Sequence, residues 1–364
     1  MKRLLLIICC TITLVSGCAV NTQVIDDLSL IQTVGYDIGE NEKFEYMVMY
    51  PTFKEQGEEH TAKIELMSVY AKTSEQARNL LNSRAQKPLR YGQLRTIVFS
   101  SDIAEEGIED LTSTFYRNPH IGNQIYLAVT ENKTKDMLRV KKTTEDGMGV
   151  YLSDLITQNE EFESIPSTNL HQFLFNMYSD GRDAYLPIAN KHEDGLEITG
   201  VALFANGKMK GKLNQKMSFV MKLLLEGSDS GTSQFYSPSV DSHVVLQNIR
   251  SSVKYIQRKG GLKPEYDVEL SVQGQITDYT NDINLEDTKV MDTVMKDVEA
   301  DLKKKSEEVI SYMKEINSDV LGFGEKYRSR TRDWKPKQWK KEIYPDLKVN
   351  VNVKVDVLHT GAIE

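Results

Sequence analysis

The chain has 364 residues, a formal charge of −8 at pH 7, 40% apolar and 27% charged residues. That balance is ordinary for packed, water-soluble domains, and the length allows two or three of them. The acidic excess argues against nucleic acid as a main partner, and there is no internal repeat or low-complexity tract.

Lys2 and Arg3 make a short cationic start. Leu4 through Val15 is an apolar run broken only by two threonines, and Ser16 and Gly17 then lead to Cys18. This is the layout of an export signal, and the run is shorter than the about 20 apolar residues that span a bilayer comfortably. Leu14-Val15-Ser16-Gly17-Cys18 resembles a bacterial lipobox: small residues admit the peptidase, and the thiol accepts the lipid. The expectation is removal of residues 1–17, an S-diacylglycerol group on Cys18 with N-acylation as an option, and a brief tether over 18–25. A general secretory signal with an incidental cysteine is the alternative. Cys9 and Cys10 leave with the signal, so Cys18 is the sole cysteine left and no internal disulfide can form. Two acyl chains, at about 0.8 kcal/mol per buried methylene, are sufficient for anchoring. No later stretch is long and apolar enough to cross a membrane.

From residue 26 onward strands and helices alternate. Phe44, Tyr46, Val48 and Tyr50 are read as alternating with polar neighbours, as in a half-buried strand. Thr73 and Gln76 fit a capping box for a helix whose apolar side is Ala77, Leu80, Leu81 and Ala85. A strand over 96–100, a helix over about 102–116 and a strand over 124–130 follow. Two or three helices occupy 133–179, one capped near Ser167 and running through Leu170, Phe173, Leu174 and Met177. The polar stretch 190–195 is read as a boundary. After it, Asn206-Gly207 between apolar runs predicts a hairpin. A helix over 215–225 comes next, and the serine- and glycine-rich stretch 227–239 reads as a loop or linker.

In the last third, Tyr266, Val268, Leu270 and Val272 mark an amphipathic strand. Val294, Val298, Leu302, Val309, Met313, Ile316 and Val320 keep a helical period up to Gly322 and Gly324. Valines 349, 351, 353, 355 and 357 alternate with polar residues in a terminal strand. The fold class is therefore α+β: multidomain, with predominantly antiparallel or mixed sheets, and with the long C-terminal helix packed on a sheet. The expected units are 26–190, 196–232 and 240–364.

The chemistry of catalysis is missing from this pattern. His60, His120, His171, His192, His243 and His359 are widely separated, and no zinc motif, phosphate-binding glycine loop or nucleophile elbow occurs. His171, beside Phe173 and Leu174, reads as a partly buried structural histidine. Ser228 to Ser233 reads as a flexible loop ahead of an anion cradle, and Glu160-Glu161 and Asp26-Asp27 as solvated surface pairs. No catalytic residue, metal, cofactor or small-molecule ligand is assigned. One cluster departs from the acidic background: residues 326–341 hold eight cations against the single acid Asp333, with Tyr327, Trp334 and Trp339 among them. Either Lys335, Lys337, Lys340, Lys341 and Trp334 touch anionic headgroups or an acidic partner, or the segment is a solvated connection with one tryptophan in the core. The second reading is favoured.

Several strings in fixed order carry a resemblance: Asp26-Asp27-Leu28-Ser29-Leu30, Val34-Gly35-Tyr36-Asp37, Tyr91-Gly92-Gln93-Leu94, Phe115-Tyr116-Arg117-Asn118-Pro119, Ser164-Ile165-Pro166, Tyr185-Leu186-Pro187, Thr199 to Phe204, Asp319 to Gly324, Trp339, Tyr344-Pro345 and Thr360-Gly361. With the lipobox ahead of them, the chain resembles the Ger(x)C family, the C-subunit lipoproteins of bacterial spore germinant receptors. Ala19 and Val20 depart from the aromatic and acidic residues that follow the cysteine in many relatives. The resemblance implies three mixed α/β domains on the outer face of the spore inner membrane. Partners would be the polytopic A-type and B-type receptor subunits. A solute-binding lipoprotein of a transporter is the alternative in another class.

Overall fold

The computed structural model describes residues 27–357 except 42–43, 57–58, 119–120, 123, 141–146, 163 and 282. The expected signal, Cys18, the tether, His120, His359 and Thr360-Gly361 lie outside the described residues.

The first half runs β1 (Ser29–Leu30), β2 (Thr33–Ile38), β3 (Phe44–Gln56), β4 (Glu59–Ala71), α1 (Ser74–Asn82), β5 (Leu89–Arg90), β6 (Thr96–Ser100), α2 (Ser101–Glu106), α3 (Glu109–Tyr116), β7 (Tyr126–Thr130), α4 (Thr134–Met137), α5 (Met148–Phe162) and α6 (Leu170–Met177). Then come β8 (Tyr185–His192), β9 (Gly195–Ala205), β10 (Lys208–Asn214), α7 (Gln215–Leu225), β11 (Thr232–Ser237), β12 (Ser242–Lys259), β13 (Glu265–Tyr279), α8 (Thr288–Glu315), α9 (Phe323–Arg328), α10 (Pro336–Gln338), a π turn over Trp339–Ile343 and β14 (Lys348–Val357).

Eight strands form one mixed sheet in the order β10-β9-β8-β7-β6-β2-β3-β4, parallel from β2 through β8 and antiparallel towards both edges. Its central strands are covered on both faces, so they read as continuous apolar runs. Tyr36, Tyr46, Val48, Ile97 and Phe99 face one core together with Phe115, Phe173 and Phe204. Met47, Met49, Val98 and Ala128 face another, with Met148, Leu152 and Ile156 of α5. This corrects the half-buried reading of β3: Glu45, between the core residues Phe44 and Tyr46, is also buried, and Lys135 of α4 pairs with it at 2.5 Å.

The second core continues without interruption into the C-terminal sheet, of order β11-β12-β13-β14, with β13 and β14 parallel. Val268, Leu270, Val272, Val351 and Val355 meet Val294, Val298, Leu302 and Val309 of α8 there. The long helix thus lies on its sheet as the apolar periods require. At the 190–196 junction, β8 and β9 pair from Tyr185↔Leu203 to His192↔Gly195, and the polar residues close that hairpin within the large sheet.

Local signals held where the chemistry is local. Thr73 Oγ1 accepts from Gln76 N at 3.1 Å at the start of α1. Asn206 and Gly207 take φ of 52° and 72° in the β9–β10 turn, as a two-residue hairpin demands. Elsewhere the boundaries move. The helix expected over 102–116 breaks at Gly107-Ile108 into α2 and α3. The cap expected near Ser167 is Asn169, whose side chain accepts from Gln172 N at 3.0 Å. The stretch 227–239, read as a loop, contains β11. The long helix ends at Glu315, where Asn317 turns the chain with φ of 55°, ahead of Gly322.

Candidate functional site

Where α8 ends, the chain enters a buried polar knot. Ser318 and Asp319 are fully buried. Ser318 Oγ donates to Phe204 O at 2.6 Å, at the end of β9. Asp319 N donates to Asp183 Oδ2 at 2.6 Å, and Asp183 N donates to Asp319 O at 3.0 Å. The Asp319 carboxylate accepts three N–H groups: Phe323 N at 2.9 Å, Gly324 N at 2.7 Å and Trp339 Nε1 at 3.1 Å. A buried carboxylate survives only when so provided for.

The approach of the two strands of chain is backbone to backbone. Glu325 N donates to Gly181 O at 2.8 Å, and a Cβ on Gly181 would sit 2.6 Å from Glu325 N. A Cβ on Gly324 would lie 2.6 Å from Trp339 Nε1. Both positions therefore admit only glycine without a shift of backbone or indole. The knot joins the segment leading into β8 to the turn after α8, so it clamps the large sheet to the C-terminal unit.

Its electrostatics follow from burial. Desolvation pushes Asp319 up to about 6 against the opposing pull of Lys340, and raises Asp183 as well. The Lys340 ammonium pairs with Asp183 Oδ2. Burial, with Arg182 adding to it, brings Lys326 down to about 8. Lys326 Nζ lies 4.1 Å from the Tyr255 ring centroid and donates to Leu321 O at 2.8 Å.

The basic segment wraps this knot. Trp339 is fully buried and stacks on Tyr327 with ring centroids 5.1 Å apart. Trp334 is half-buried, 5.9 Å from Trp339. Lys335, Lys337 and Lys341 remain exposed, whereas Lys340 is drawn inward to Asp183 and leaves the surface set that sequence reading grouped it with. Burial of Trp339 accords with the reading of this segment as a connection with one core tryptophan.

Other candidates resolve as structure. His171 is exposed on α6, not partly buried, because its helix presents Phe173 and Leu174 inward on the opposite side. Asn248 holds the carbonyls of Ser228 and Ser230 at 2.9 and 3.0 Å, and Ser228 N donates to Ser251 Oγ at 2.7 Å, so the serine-rich stretch is tied down. Glu160 is no solvated surface acid: it accepts from Thr168 N at 2.8 Å, and burial raises it to about 7 with Glu226 adding to the effect. Among the described residues no group of three His, Cys, Asp or Glu side chains is placed to hold a metal ion. No helix among them is long and apolar enough to cross a membrane. A polar cleft of about 740 Å³, lined by Gln93, Arg95, Tyr126, Asp154 and Thr157, lies beside the Tyr91–Leu94 segment.

Sequence reading missed the partnership of Asp183 with Asp319 and Lys340. The available signal was an acid opening a glycine-punctuated string, Asp319 to Gly324, whose donors come from the next helix turn.

Two family descriptions match nearly the whole chain: the spore germination protein N-terminal domain over residues 21–191, and the spore germination B3/GerAC-like C-terminal domain over residues 199–361. The spore germination protein GerQC of Bacillus cereus is 32% identical over 368 residues, covering 100% of both chains. The putative spore germination protein YfkR of Bacillus subtilis is 18% identical over 80% of this chain and 77% of its own. The crystal structure of the GerBC protein superposes with a TM-score of 0.59 at 11% identity, covering 90% of this chain and 97% of that one, and shows the same fold. The chain belongs to the Ger(x)C family of spore germination proteins, and is thereby a component of the germinant-receptor C-subunit class.

Proposed function

We propose that the chain is the non-catalytic, lipid-anchored C-subunit of a spore germinant receptor, needed for receptor assembly and for nutrient-triggered germination. The supporting observation is the order Leu14-Val15-Ser16-Gly17-Cys18 directly ahead of two family domains that together run from residue 21 to residue 361. A diacylglyceryl group on Cys18 confines the folded part near the outer face of the spore inner membrane. Confinement raises the effective concentration of partners, so modest interfaces with the polytopic A-type and B-type subunits suffice. A non-catalytic role accords with polar groups used on one another: Asp319 on three N–H donors, Asp183 on Lys340, Ser318 on Phe204 O.

The test is Cys18→Ala. Loss of the protein from the spore membrane fraction, with germination through its receptor impaired, is expected. Full germination by an unlipidated, soluble form would sink the reading. Mass spectrometry of the native N-terminus reads the modification directly.

A further inference from the structure

In this acidic chain, residues 83–95 carry Arg84, Lys87, Arg90 and Arg95 and no acid. Arg84, Lys87 and Arg95 are exposed and Arg90 is half-exposed. The patch is held rigidly. Leu89 is fully buried, its N–H donates to Asn82 Oδ1 at 2.9 Å, and Ala85 N donates to Leu81 O at 2.9 Å.

The patch also lies where the described chain begins. β1 pairs with β5 in register Ser29↔Leu89 and Leu30↔Arg90. Ser29 N donates to Pro88 O at 3.0 Å, Ile31 N to Arg90 O at 2.8 Å, and Arg95 N to Gln32 O at 2.9 Å. Arg90 and Arg95 are thus bonded through their backbones to the root of the segment that leads back to Cys18, with Lys87 next to Pro88 and Arg84 on the turn that leads into β5. Asp27 and Asp154, which lines one cleft with Arg95, are the exposed acids nearby, against four cations. From Cys18 to Asp27 the chain can reach at most about 30 Å. The surface around its root is thus the part of the molecule kept closest to whatever holds Cys18. Among the described residues, the basic segment 326–341 makes no backbone hydrogen bond to residues 29–32. It directs Lys340 to Asp183, Lys326 to Leu321 O and Arg328 to Glu325, while Arg90 Nη1 donates to Leu89 O at 3.1 Å.

We propose that the surface bearing Arg84, Lys87, Arg90 and Arg95 rests on the phosphate headgroups of an anionic bilayer and sets the orientation of the anchored protein. This rests on the reading of Cys18 as the anchor. Lipid supplies attachment, and the patch supplies direction, each cation near an anionic surface strengthening contact about fivefold. The attraction acts within about a Debye length, 8–10 Å, of the surface.

The experiment holds attachment constant. The chain from Cys18 onward, whose single thiol is coupled to a maleimide lipid, is bound to vesicles of phosphatidylcholine with or without phosphatidylglycerol. Amide hydrogen exchange is then followed. With phosphatidylglycerol, exchange across 83–95 slows at least about fivefold, and the slowing disappears at high salt and in Arg84→Gln/Lys87→Gln/Arg90→Gln/Arg95→Gln. The salt arm needs no variant, so a poorly folded mutant does not decide the matter. Equal exchange on the two vesicle types, or slowing confined to 326–341, overturns the proposal. Because the lipid is attached chemically, failure here is distinct from absence of lipid on native Cys18, which mass spectrometry reads separately.

Discussion

The indole of Trp339 donates to the carboxylate of Asp319 at 3.1 Å, and both side chains are fully buried. Asp319 in turn is bound through its backbone to Asp183, which Lys340 neutralises from the residue next to that tryptophan. The cationic segment 326–341 therefore belongs in large part to the clamp between the two halves of the molecule.

Asp319→Ala removes the acceptor of three buried N–H groups, each worth about 1–3 kcal/mol when left unsatisfied. A loss of about 4 kcal/mol in unfolding free energy is expected, read from the urea midpoint. Asp319→Asn keeps an acceptor and loses less than half of that. Equal stability of Asp319→Ala and the native chain would remove the clamp from the account.

Lys340 and Lys341 are neighbours with opposite expectations. Lys340→Gln leaves the carboxylate of Asp183 buried without its cation and costs about 3 kcal/mol, the low end for a broken buried pair because the ammonium keeps some exposure. Lys341→Gln alters an exposed side chain and stays within about 0.5 kcal/mol. Thermal melts of the two variants side by side decide this, and matched midpoints would contradict it.

Gly181→Ala forces a methyl to within 2.6 Å of Glu325 N, a backbone atom. Overpacking of that kind costs about 1–3 kcal/mol. The local signature is faster amide exchange in α9, whose Glu325 N–H bonds Gly181 O. An unchanged exchange pattern there would show that the close approach is dispensable.

Glu160 gives a pH dependence with a definite sign. Its pKa rises on folding from 4.5 to about 7, chiefly through desolvation. The native state holds the proton more tightly, so this group's stabilising contribution is complete below about pH 4.5 and is lost as pH rises through about 7. Glu160→Gln should match the native chain near pH 5 and exceed it at pH 8 by about 1–2 kcal/mol, discounted for partial exposure. Parallel stability curves across that range would contradict the assignment.

Much of the architecture was legible because its signals are local. The valine alternation of β14, the Asn206-Gly207 turn and the Thr73 cap each arise from neighbouring residues. The apolar stripe of α8 was equally plain, but Val320 prolonged the period beyond the helix: it is buried in the turn that follows. The eighteen-residue strand β12 was missed for the converse reason. Its inward positions include Ser242, Asn248 and Ser251, buried through hydrogen bonds, and its pairing shifts register at Val245/Leu246 and Asn248/Arg250, which erases a period of two.

By itself the sequence determined the alternation of elements, the apolar faces and, through ordered short strings, the family. Those depend on spacing along the chain, which a sequence records directly. Only the tertiary structure decided that Lys340 turns inward to Asp183 while Lys341 faces water, that Glu160 is half-buried, and that Arg90 and Arg95 bond the root of the N-terminal segment. Each of these joins residues distant in sequence, and the charge state and exposure of a side chain are set by what the fold brings against it.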